Sequence, residues 1–138
     1  MNKTLLKGTP IRKEGKAAGA IIPGQLIDFN ATGDLVVHAT AAGVTAAPYF
    51  AAEQDYFGKD IDTACAIGDQ IGYNVSPVGT EIYAFLDAGE NATKGAFLES
   101  AGNGSLQVRT TGKVVARALE AVNNTAGGAA VRIIVEVL

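Results

Sequence analysis

Few side chains in this 138-residue chain could do covalent or acid–base chemistry near neutral pH, and they are scattered. His38, the one histidine, closes the apolar run Leu35-Val36-Val37. As a general base it would need a nucleophile against one ring nitrogen and a carboxylate behind the other. Ser76, Ser100 and Ser105 lie in stretches rich in Pro or Gly, without the sharp strand-to-helix elbow that presents a nucleophilic serine. His38 therefore reads as a strand-end residue. Cys65, in Thr63-Ala64-Cys65-Ala66-Ile67, has no neighbouring cation to lower its pKa and reads as a buried, inert thiol. A single cysteine makes no internal disulfide, and one Cys with one His is too few ligands for a structural zinc site. Asp55, Asp60 and Asp62 surround Gly58, but their spacing fits no EF-hand loop, so they read as a solvated acidic segment. Gly102-Asn103-Gly104-Ser105 lacks the lysine and the following helix of a phosphate cradle. No catalytic residue, metal site or cofactor is expected, and the chain reads as non-enzymatic.

Binding chemistry is better represented. Lys3, Lys7, Arg12, Lys13 and Lys16 face only Glu14 within residues 1–16, whereas the remainder carries six basic and thirteen acidic residues. A basic arm on an acidic body points to a negative contact partner, and an ordinary solvated first segment is the competing reading. Leu5, Leu6 and Ile11 would be its apolar anchors. Nucleic acid is disfavoured, because aromatics are not interleaved with these cations and an acidic body repels phosphates. No apolar run approaches membrane-spanning length, and Leu5-Leu6 is too short for a signal-peptide core, so no membrane partner is expected and synthesis is expected in a cytoplasm. Tyr49, Phe50, Tyr56 and Phe57 cluster within nine residues. They read either as a protein interface or as an inward-folded cap over the end of a barrel.

The elements that must position these residues are short. Ile22-Pro23-Gly24-Gln25-Leu26-Ile27, followed by Gly33-Asp34-Leu35-Val36-Val37, recurs about seventy residues later as Thr93-Lys94-Gly95-Ala96-Phe97-Leu98 and Gly102 to Val108. Each copy predicts strand, turn, strand. Glycines recur at close to ten-residue intervals from Gly24 to Gly112, the pitch of a sandwich or barrel. Ile71, Tyr73 and Val75 alternate with Gly72 and Asn74, and Val131, Ile133, Val135 and Val137 alternate with Arg132 and Glu136. Residues 45–56 could hold a turn or two of helix around Pro48. Residues 114–122 are expected to be strand, and residues 123–128 a loop. Of the 66 hydrophobic residues 24 are alanine, leaving 36 Leu, Ile, Val and Phe for one thin core, so stabilisation by oligomer contacts is expected. The predicted fold is all-β: a small single-domain barrel or sandwich of repeated hairpins over 17–138, with an extended arm over 1–16.

The order of these segments resembles a known group. It runs from Gly8-Thr9-Pro10-Ile11 through Ala20-Ile21-Ile22-Pro23-Gly24-Gln25-Leu26-Ile27 and Ile61-Asp62-Thr63-Ala64-Cys65-Ala66-Ile67-Gly68-Asp69-Gln70-Ile71. Leu86-Asp87-Ala88-Gly89-Glu90 and Lys94-Gly95-Ala96-Phe97-Leu98 complete it. This is similar to the small capsid decoration, or cement, proteins of tailed bacteriophages, over nearly the whole chain. The resemblance implies a non-enzymatic, β-rich homotrimer on the outer surface of an expanded head, with the major capsid protein as partner. It also implies that the basic arm lies across neighbouring shell subunits. Cys65 and the Tyr49–Phe57 segment have no counterpart in that pattern. Two other readings compete. A carrier module of the lipoyl type would need a lysine at a hairpin tip, which neither Lys59 nor Lys94 provides. A sugar- or protein-binding β-module with a sugar platform would need stacked rings, and the chain has no tryptophan.

Overall fold

Alternating apolar residues with glycine turns between them fold into strands throughout. The computed structural model describes residues 3–43, 46–54 and 58–138, which carry strands and no helix. The strands are β1 (Leu5–Lys7), β2 (Ile11–Lys16), β3 (Ile27–Phe29), β4 (Leu35–Val37), β5 (Tyr49–Ala51), β6 (Gln70–Val75) and β7 (Glu81–Leu86). They continue as β8 (Asn91–Ala92), β9 (Phe97–Ser100), β10 (Leu106–Val108), β11 (Ala116–Ala118), β12 (Val122–Asn123) and β13 (Val131–Val137).

Five strands close into a barrel in the order β7-β10-β9-β11-β13, with β13 returning to β7. Its longest seam runs antiparallel from Val131 opposite Leu86 to Glu136 opposite Glu81. The period-two pattern of β13 sends Ile133, Val135 and Val137 inward, where they meet Ile82, Ala84, Leu86, Leu98, Leu106, Ala116 and Ala118. Barrel width grows with strand number, so a five-stranded ring leaves little interior space. Small side chains at positions 84, 116 and 118 fit that restriction. Part of the alanine content that looked like weak core material is what a narrow barrel requires.

A second core lies beside the first. The sheet β2-β6-β5 and the hairpin β3–β4 enclose Ala17, Ile21, Ile27, Leu35, Ala51, Cys65, Ile71 and Tyr73. Two strand segments feed both cores by simple alternation. Leu26 faces the barrel and Ile27 the second core; Phe50 faces the barrel and Ala51 the second core.

The two predicted hairpins are present as β3–β4 and β9–β10, each in antiparallel register. They also interlock. Leu26 N–H donates to Gly104 O at 2.8 Å, Gly104 N–H to His38 O at 3.1 Å, and Ala42 N–H to Ser100 O at 2.8 Å. Residues 116–118 and 122–123 are strand, in agreement with the extended reading of 114–122, while β12 takes the first residue of the expected loop. The helical turn considered near Pro48 gives way to β5, because Phe50 and Ala51 must point to opposite sides.

The N-terminal segment is extended, and its described part pairs with the body. β1 pairs antiparallel with β7, and β2 pairs with β6 through six residues, from Ile11 opposite Val75 to Lys16 opposite Gln70. Of its apolar anchors Leu5 packs against the barrel core, whereas Ile11 stays exposed.

Candidate functional site

β2 is the element with the most binding potential. β6 occupies one of its edges, and no described strand pairs with the other. Ala17, just past its end, donates its N–H to Asp69 O on the β6 side, while Ala18 N–H turns the opposite way to Leu35 O. Main-chain groups alternate sides along a strand. The N–H and C=O groups of Arg12 and Glu14 therefore face the open edge, which closes at Lys16, where Leu35 of β4 bridges Ala17.

Side chains on one face of this sheet form an apolar strip. Ile11, 64% exposed, stands opposite Val75, which stands opposite Tyr49. Phe29, 43% exposed, meets Tyr49 edge-on with centroids 6.1 Å apart and Tyr73 at 6.0 Å, and Tyr49 and Tyr73 lie 5.9 Å apart. Lys13 shares this face and is paired with Tyr73 in register. The result is an aromatic platform beside an open strand edge and a cation, a combination suited to protein contact.

The predicted contact residues fall into three groups. Ile11, Arg12, Lys13 and Lys16 are brought together and exposed on β2. Lys7, exposed on β1, is ion-paired with Glu81 at 3.7 Å, and Leu5 and Leu6 are half-buried there. Lys3 is exposed at the start of the described chain. Of the aromatics, Phe50 is not an interface residue: it is 1% exposed and caps the barrel interior with Leu26 and Ala46. Tyr49 is half-buried within the platform, and Tyr56 and Phe57 lie outside the described residues. Sequence reading missed Phe29, Tyr73 and Val75 as parts of this face. Tyr73 and Val75 lie on one strand, but Phe29 is more than forty residues away, and only the fold brings it to them.

The residues considered for catalysis take structural places. His38 Nδ1 lies 2.6 Å from Ser100 Oγ, and both residues are buried. The pair joins the end of β4 to the end of β9, and burial pushes the imidazole pKa down while the nearby Asp28 charge pulls it partly back. Cys65 Sγ accepts from Ile21 N–H at 3.3 Å, and burial raises its thiol pKa. Asp60 caps its own turn, accepting from Thr63 Oγ1 at 2.7 Å and Asp62 N–H at 3.0 Å. Among the described residues no three His, Cys, Asp or Glu side chains gather in metal-binding geometry.

Arg132 was also missed, and it holds the two cores together. From β13 its guanidinium donates to Pro23 O at 2.7 Å, Tyr83 O at 3.0 Å, Ile61 O and Asp62 Oδ1. It also lies over the Phe85 ring, 4.0 Å from the centroid. In sequence it is one polar residue alternating with aliphatics, as Glu136 is, and nothing local marks it.

No protein-family model matches the chain, and no curated protein matches it. Among solved structures it is similar to the N base of the head fiber gp8.5 of bacteriophage phi29. The likeness covers 94% of this chain and 95% of that one, with a TM-score of 0.61 and 12% identity. The shared property is the fold, a small all-β architecture followed from end to end.

Proposed function

We propose that this chain is a non-enzymatic structural protein of a tailed-bacteriophage head. It binds the outer surface of the shell through the major capsid protein, as a homotrimer, and cements neighbouring capsomers of the expanded head. The supporting observation is the fold match to the base of a phage head fiber along almost the whole of both chains. A barrel without helices also suits a role in which rigid outer surfaces do the work. On this reading the contact is made by the open edge of β2, through main-chain pairing steered by Arg12, Lys13 and Lys16. Many weak contacts repeated over a shell add through multivalency. The carrier reading fits poorly. Lys59 is 3.5 Å from Asp69, and Lys94 lies between β8 and β9, which do not pair with each other.

The test is co-sedimentation and cryo-electron microscopy of the protein with expanded shells, using Glu14→Pro beside the parent. Proline at 14 removes an outward N–H without breaking the bond pattern to β6. The expected result is ordered density on the shell for the parent and at least tenfold weaker binding for the folded variant. Absence of parent binding overturns the function, and undiminished binding by Glu14→Pro overturns the role of the edge. Sedimentation velocity should show a trimer at micromolar concentration.

A further inference from the structure

The reverse face of β2 borders a cleft of about 390 Å³ between the barrel-side strand β1 and the β2-β6-β5 sheet. Its walls include Lys3, Leu5, Pro10, Arg12, Glu53 and Asn74. Small-molecule sites begin at about this size, roughly 300 Å³. Three features make it more than a surface dent.

Asn74 is 5% exposed and lines the cleft, and no described residue bonds its side-chain amide; its main chain lies in the β5–β6 ladder opposite Phe50, and its carbonyl also accepts from Ser76 Oγ at 3.4 Å. Arg12 is fixed beside it. Its guanidinium lies on Gly72, where a Cβ would come 2.8 Å from the Arg12 Cζ, and Nη2 reaches Glu53 O at 3.5 Å. Neither Arg12 nor Lys3 forms an ion pair with a described carboxylate. Glu53 itself is held at the wall, its Oε2 accepting from both the N–H and the hydroxyl of Thr4.

We propose that this cleft binds a carboxylate carried on a short aliphatic chain, either an acidic side chain of a partner protein or a small free carboxylic acid. Among the described lining residues two cations face one carboxylate, a net single positive charge. That balance suits a monoanionic head better than a phosphate dianion, which Glu53 would repel. A planar carboxylate matches the fork of a fixed guanidinium, and the Asn74 amide supplies a further donor. Leu5 and Pro10 give the aliphatic chain an apolar wall. This inference does not rest on the shell reading: Arg12 borders both, but the cleft is built from side chains on the reverse face and the shell contact from the outward main-chain edge.

The test is NMR titration of isotopically labelled protein with sodium glutarate, with a capped glutamate-containing pentapeptide, and with sodium phosphate. Saturable shifts are expected at the Asn74 side-chain amide and the Arg12 Nε, with phosphate at least tenfold weaker than the better carboxylate. Tighter binding of the peptide identifies a protein side chain as the natural occupant; tighter binding of glutarate identifies a free acid. Arg12→Met and Asn74→Leu should each weaken binding at least tenfold. Lys3→Gln, at an exposed position, should weaken it severalfold whatever the other two do to folding. The proposal is overturned if neither carboxylate gives a saturable shift, if phosphate binds as well, or if Lys3→Gln binds like the parent.

Discussion

Glu99 is a carboxylate with no solvent exposure, and its surroundings decide its charge. Burial alone would raise its pKa. Gln107 Nε2 at 2.8 Å, Thr110 Oγ1 at 2.9 Å and the Gly112 N–H outweigh that effect, and the carboxyl is held below its ordinary value. A depressed folded pKa contributes stability that is present above the unfolded value of 4.5 and lost as pH falls through the folded one. His38 behaves with the same sign at a higher pH. Its folded pKa lies below 6.5, so protons favour the unfolded chain as pH drops beneath that value. Two losses of stability are expected in urea titrations, one beginning near pH 6.5 and one below pH 4.5. His38→Gln should flatten the first and leave the second. Glu99→Gln should shrink the second, leaving the smaller share of Asp60, and cost about 1–3 kcal/mol at pH 7, because an amide nitrogen cannot accept from these donors. Ser100→Ala should cost roughly 1 kcal/mol and leave any shell binding unchanged, since the His38–Ser100 bond ties hairpins together and reaches no surface.

The two hairpin copies are alike in pattern and unlike in surroundings. Gly24 has φ +94° and its N–H donates to Ala51 O; a Cβ there would stand 2.6 Å from Tyr83 O and closer still to the Arg132 guanidinium. Gly95, its counterpart, has φ +90° and open space around it. Gly95→Ala should cost about 1–2 kcal/mol, from the left-handed backbone alone. Gly24→Ala should cost about 3 kcal/mol or more, since the turn must also move off the barrel. Differential scanning calorimetry separates the two, and equal losses would contradict the close approach. This contrast also marks what the sequence could disclose. Period-two runs at 71–75 and 131–137 and the glycine turns at 24, 33, 95 and 102 announced the strands, because strand formation is written in nearest neighbours. Whether a turn sits in the open or against another strand depends on residues a hundred positions away, such as Arg132 against Pro23. Residues 5–16 kept their pairing hidden for the same reason. Their charge was legible, but their pairing to β6 and β7 was not, because edge strands carry polar residues much as free arms do. The candidate face was half legible: the cations of β2 announced themselves, while Phe29, Tyr49 and Tyr73 meet only through register.

At the scale of the molecule the barrel and the second core share strand segments, so they should melt as one unit. Phe50→Ala opens the barrel end and is expected to cost about 3–5 kcal/mol. Because Ala51 is its neighbour on β5, protection of both cores in hydrogen exchange should fall together. Arg132→Met removes the guanidinium from three main-chain carbonyls and Asp62, with an expected cost of about 3 kcal/mol. It should also separate the two cores into distinct exchange groups, which Phe50→Ala should not do. The barrel carries one further implication, for the order in which it can be made. Its ring is sealed by β13, which joins β7 on one side and β11 on the other. During synthesis on a ribosome the lining residues of β7, β9, β10 and β11 emerge before their last partner, and nascent chains with such open margins are prone to stick to one another. Dense production would make those seconds the hazardous stage of this protein's life, and translation speed through residues 119–137 the quantity that sets their length.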